Sequence, residues 1–153
     1  MFGKSYLRVP ASMWGAALLL LFAQSSIAGD FVVVINANNT YSADSAKVAA
    51  EVKRMFLRQV EKWPDGSGVL VLDRASDSEA HQRFVVSVLG MDAARLAHYW
   101  AQLKQTRGVT PPRNVSTMSL LLRYLGRKPG ALTFAAKSEY SELPPTVRVL
   151  MEY

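Results

Sequence analysis

The clearest hydrophobic signal in the chain is the run Phe31 to Ile35, β-branched apart from its first residue and closed by Asn36 and the polar cluster "ANNT"; it reads as a buried strand followed by a turn. The periodicity then changes. From Ala43 to Lys62, Ala46, Val48, Ala49, Val52, Met55, Phe56, Leu57 and Val60 recur at helical spacing with Lys and Arg between them, and Ser42 stands where an N-cap belongs. Pro64 is expected to stop this helix, "PDGSG" to turn the chain, and Val69 to Leu72 to form a second strand.

Helical spacing returns from Asp77 to Leu89, with Gly90 as its stop, and again after Asp92, where Leu96, Tyr99, Trp100 and Leu103 make one stripe that reads as core. The segment 105–116 reads as a loop, since Pro111-Pro112 excludes a helix. Ser116 is placed to cap a helix that Gly126 ends; "ALTFAA" and the alternating "TVRVLMEY" complete the pattern as strands. Strands and helices in this order predict an α/β domain with helices on both faces of a mixed β-sheet.

The N-terminus alters this picture by removing a segment from the fold. Lys4 and Arg8 precede an apolar run from about Ala11 to Ala23, and Ser26 and Ala28 fit a cleavage site, so residues 1–28 are expected to be an export signal and 29–153 the domain. The run is short for a membrane span, and no stable span is expected after cleavage. Losing Lys4 and Arg8, and no acid, lowers the formal charge from +6 to +4. The remaining cations are scattered and not interleaved with aromatics, which speaks against a nucleic-acid partner. With no cysteine, an exported chain must hold its fold by packing alone and has no thiol chemistry. His81 and His98 lack metal-ligand spacing, and neither a G-x-S-x-G elbow nor a lysine-bearing phosphate loop occurs. No metal, cofactor or enzymatic activity is expected.

Several landmarks then fall in a familiar order: the apolar strand ending in Asn36, "MFLRQVEKWPDG", a strand ending at Arg74, "F..SVLGM....L..YW", a loop with Gly108 and Pro111-Pro112, and "KPGALTF". Over residues 31–150 the chain resembles the short phosphate-binding-protein-like family, small exported relatives of the substrate-binding components of phosphate ABC transporters. The resemblance implies a single periplasmic-binding-protein-like lobe, a periplasmic location, and a phosphate-like anion as ligand.

In that family an anion loop offers an arginine, a Ser-Gly-Thr triplet and a helix N-terminus, whose free N–H groups and dipole favour negative charge. Laid on "RASDSEA", the pattern retains Arg74 and Ser78, while Glu79 and Ala80 replace the glycine and threonine and Asp77 another glycine. Ser76 and Glu79 also fit a capping box, and Arg74 could pair with Asp77, which together would close the loop to phosphate. Two readings result. One is an exported binding module with Arg74, Ser76 and Ser78 against an opposite lip of Asn36, Asn38 and Thr40. The other is a periplasmic interaction or sensory accessory module, docking on an envelope protein partner, that has lost its ligand.

Overall fold

The computed structural model describes residues 30–153; the export signal expected over residues 1–28 lies outside them. Its elements are β1 (Phe31–Asn36), α1 (Ser45–Phe56), β2 (Leu70–Arg74), α2 (Glu79–Phe84) continuing into a π-helical turn Val85–Leu89, α3 (Ala93–Arg107), β3 (Arg113–Val115), α4 (Met118–Arg127), β4 (Ala131–Ala136), a 3₁₀ segment Lys137–Glu142, and β5 (Val147–Glu152). They build one five-stranded mixed sheet in the order β3-β2-β4-β1-β5. Strand β2 runs parallel to both β3 and β4, whereas β1 is antiparallel to β4 and β5.

All six residues of β1 are buried, because the strand is central and both of its faces are covered. Its alternation divides the core. Phe31, Val33 and Ile35 join Val52, Phe56, Phe84 and Phe134 beneath α1 and α2, while Val32 and Val34 meet Leu121 and Leu125 of α4 on the other side. Phe84 and Phe134 stack with centroids 3.8 Å apart, and Phe31 meets each edge-on at 5.9 Å. Burying each such ring contributes about 1.5–3 kcal/mol. The expected α/β domain with helices on both faces of a mixed sheet is therefore the observed one.

Boundaries moved where a long-range contact outweighed a local cue. Helix α1 ends at Phe56, well short of Lys62, because Arg58 takes a left-handed conformation (φ 56) and the amides of Arg58 and Gln59 turn back to Met55 and Arg54. That conformation costs a non-glycine residue about 1 kcal/mol. Burial of Leu57 and Trp63 and the antiparallel bridge between Lys62 and Gly68 offset it. Asp44 caps α1 in place of Ser42, and Thr117 caps α4 in place of Ser116. Gly126 does not end α4 but lies within it, pressed so close to Thr146 that a Cβ would stand 2.9 Å from the threonine hydroxyl.

Two departures bear on function. Residues 113–115, read as part of a loop, form the edge strand β3, with Leu72 opposite Arg113 and Arg74 opposite Val115. The stripe on α3 is only partly core: Leu96 is buried, but Tyr99, Trp100 and Leu103 are half-buried. None of the described helices is long and apolar enough to cross a membrane.

Candidate functional site

Strand β2 ends in Asp73 and Arg74, and both side chains have partners. The Arg74 guanidinium forks onto Glu139 of the 3₁₀ segment, Nη1 to Oε2 at 2.9 Å and Nη2 to Oε1 at 3.1 Å. Glu139 Oε2 also accepts the Ala136 amide at 2.9 Å. Burial alone would raise the Glu139 pKa; the hydrogen bonds from Arg74 and Ala136 and the Arg74 charge outweigh it and hold the carboxyl below its ordinary value. The pairing of Arg74 with Asp77 considered from the sequence is thus replaced by one with a residue 65 positions away.

The capping box is also absent. Ser78, not Ser76, caps α2: its Oγ accepts the His81 amide at 3.2 Å and donates to the Ala75 carbonyl at 2.6 Å. Ser76 and Glu79 are exposed, and the Glu79 carboxylate lies 3.8 Å from Arg83. Helix α2 is only six residues long and then widens into the π turn, so its N-terminus carries a weak dipole.

The six residues proposed from the sequence do not share a site. Because β1 is antiparallel to β4 while β2 is parallel to it, the carboxyl ends of β1 and β2 lie at opposite ends of the sheet. Val71 and Ile35 are both level with Leu132, so Asn36 lies near the start of β2, roughly 13 Å along the strands from Arg74. Asn36, Asn38 and Thr40 therefore cannot be the lip opposite Arg74, Ser76 and Ser78.

Asn36 is moreover occupied structurally. It is buried, donates from Nδ2 to the Leu125 carbonyl at 2.7 Å and accepts the Asn38 amide on Oδ1 at 2.8 Å. Neighbouring Asn39 repeats the device, to the Pro129 carbonyl at 3.1 Å and from the Tyr41 amide at 2.9 Å, and Arg148 ties its guanidinium to the carbonyls of Asn39 and Tyr41. Tyr41 donates to Glu51, and burial first, then that carboxylate, pushes its pKa up. Asn38 and Thr40 are exposed beside this network.

At the β2 end a cleft of about 440 Å³ opens between α2 with its π turn and α3. Asp73 and Ser76 enter it from β2 and its loop, His81 and Val86 from α2 and the turn, Asp92 and Trp100 from α3, and Asn114 from β3. Asp73 Oδ1 accepts the Arg74 amide at 2.7 Å and lies 3.0 Å from His81 Nδ1, with both side chains largely buried. Asp92 caps α3, its Oδ1 accepting the Arg95 amide at 2.7 Å. Of the residues proposed from the sequence, only Ser76 lines the cleft.

Asp73, His81, Asp92 and Trp100 went unmarked as binding residues, since a cap, a lone histidine and an aromatic stripe each have a structural use. What unites them is the cleft itself, formed where α2, its π turn and α3 come together beside the end of β2. Among the described residues no group of three or more acidic, histidine or cysteine side chains is placed to hold a metal ion.

Neither a protein-family model nor a curated protein sequence matches the chain. Solved structures do. The chain is similar to an ABC-type phosphate transport receptor from Vibrio cholerae (TM-score 0.58, 14% identity, covering 80% of this chain and 46% of that one). It is similar to a possible phosphate binding protein from Planctomyces limnophilus (0.57, 16%, 80% and 40%). A third likeness is to a Clostridium perfringens protein, assigned as a phosphate ABC transporter substrate-binding protein and solved with bound phosphate (0.59, 11%, 80% and 44%). At these identities the likeness establishes the fold alone, a mixed α/β lobe of the kind found within these larger proteins. The chain spans less than half the length of each of these proteins.

Proposed function

We propose that the chain is an exported, solute-binding-protein-like module that receives its ligand in the cleft at the carboxyl ends of β2 and β3. The observation that carries this reading is topological. Open α/β sheets take ligands beyond the carboxyl ends of parallel strands, and the one end of this sheet where such strands open onto a cleft of ligand size is lined by Asp73, Ser76 and Asn114. The export pattern in residues 1–28 supports a periplasmic location, and the fold shared with phosphate-binding proteins supports a binding role without catalysis.

Phosphate or another small anion at Arg74 is the narrower form of this reading, and the phosphate-bound Clostridium perfringens structure makes phosphate the first solute to test. Such an anion must displace Glu139 from a bidentate pair and approach a loop bearing Asp77 and Glu79, so we expect none to bind. Thermal shifts with phosphate and a panel of small solutes, on the wild type and on Ala97→Trp, which fills the cleft, test both points. Stabilisation by some solute, lost in Ala97→Trp, is expected, with phosphate inactive. A phosphate shift abolished by Arg74→Ala would restore the arginine site; stabilisers that ignore Ala97→Trp would refute the cleft.

A second reading, an interaction or sensory accessory module without a small ligand, is favoured by Val86, an apolar side chain 62% exposed on the cleft wall. It requires an envelope protein that is retained by the wild type and released by Val86→Asp.

A further inference from the structure

We infer that the strand-end cleft selects an organic cation, an amine or guanidinium carried on an apolar body; this rests on the cleft being the binding site. The lining has two carboxylates, Asp73 and Asp92, and no Lys or Arg, on a chain whose formal charge is +6. Its apolar walls include Val85, Val86, Leu96, Ala97 and the half-buried Trp100, and Ser76, Gln82 and Asn114 add uncharged polar groups.

The arginines on β2, α2 and β3 have partners elsewhere. Arg74 is held by Glu139, Arg83 lies against Asp30 and within 3.8 Å of Glu79, and Arg113 stands over the Tyr124 ring at 5.1 Å. His81 is the only basic side chain in the lining, and it is turned to Asp73.

Both carboxylates retain an oxygen. Asp73 uses Oδ1 for the Arg74 amide and His81, and Asp92 uses Oδ1 for the Arg95 amide; no described hydrogen bond takes Oδ2 of either. The positive end of α3 offsets part of the Asp92 charge, so Asp73 carries the larger share of the attraction. A carboxylate and an indole lining one cleft are two elements that can recognise an ammonium or guanidinium group: one gives a charge-assisted hydrogen bond, the other a cation–π contact. An anion entering here would meet like charge. The cleft volume, about 440 Å³, falls within the roughly 300–1,000 Å³ of small-molecule sites.

The test uses three probes of one shape, 4-phenylbutylamine, 4-phenylbutanol and 4-phenylbutyrate, titrated into the purified chain with thermal shift and tryptophan emission as readouts. The amine is expected to bind and the carboxylate not to. Asp92→Asn leaves a cap of equal quality on α3, and Asp73→Asn leaves an acceptor for the Arg74 amide, so both variants should fold. The amine is expected to bind about tenfold more weakly to the double variant, with the alcohol unchanged. Amine binding that survives both substitutions, or carboxylate binding equal to it, would overturn the inference. Alcohol or carboxylate binding without amine binding, lost in Ala97→Trp, would overturn the cation while leaving the cleft. No response to any probe would sink both.

Discussion

The carboxyl ends of β1 and β2 start from similar material, a polar residue closing an apolar strand, and put it to opposite uses. At the β1 end, Asn36 and Asn39 direct every side-chain amide group at a backbone partner, and Arg148 closes the network over them. At the β2 end, Asp73 and Asp92 each satisfy part of a capping or loop contact and leave an oxygen at a cleft. Polar residues that are fully satisfied within the chain hold the fold together; those left incomplete beside an apolar hollow have the capacity to bind. Which of the two a residue does depends on strand direction, because β1 runs against β2 and β4 and its end faces the return of α4 into β4.

The largest expected effect comes from breaking the closed end. Asn36→Ala deletes two buried hydrogen bonds and strands the Leu125 carbonyl and Asn38 amide, a loss of about 3 kcal/mol in denaturant-measured stability, with cleft binding unchanged. Gly130→Ala follows. Its Cβ would lie 2.0 Å from the Gly68 carbonyl oxygen, and relieving that clash disturbs the Trp63 and Leu70 hydrogen bonds to Gly130, at about 2 kcal/mol.

A smaller effect, about 1 kcal/mol, is expected for Glu139→Gln at neutral pH, since the pair with Arg74 is partly exposed and screened. The sign of its pH dependence follows from a folded-state pKa below the unfolded one. The pair's stabilisation is present above the ordinary carboxyl value of 4.5 and fades as pH falls through the lowered one, so the wild type and Glu139→Gln should converge in denaturation at low pH. Because the variant frees Arg74, a phosphate-dependent thermal shift that appears in it and is absent from the wild type would sharpen the contrast. Val86→Ser should change stability by less than about 0.5 kcal/mol, being a surface substitution, while weakening apolar probes in the cleft.

Strands β1 and β4, the two-sided sheet and the capping of α3 by Asp92 were legible because each has a local signature: an unbroken β-branched run, a change of period, a cap ahead of a helix. What the residues could not disclose was direction and distance. Asn36 and Arg74 both end strands, and nothing near either shows that the strands run oppositely. The partner of Arg74 is 65 residues away, in a segment with no pattern of its own, so a local acid, Asp77, was the natural candidate. Strand β3 is three residues long behind two prolines and owes its existence to pairing with β2. Arg58 ended α1 through a left-handed turn normally assigned to glycine.

The claim that binding belongs to the cleft lined by Asp73 and Asp92, and not to Arg74 or the β1 end, is tested most directly by backbone amide NMR of the purified chain titrated with 4-phenylbutylamine and, separately, with phosphate. The expected result is amine-induced shift changes confined to residues around Asp73, His81 to Val86, Asp92 to Trp100 and Asn114, with phosphate silent. Phosphate-induced changes centred on Arg74 and Glu139, or amine-induced changes centred on Asn36 to Thr40, would contradict it.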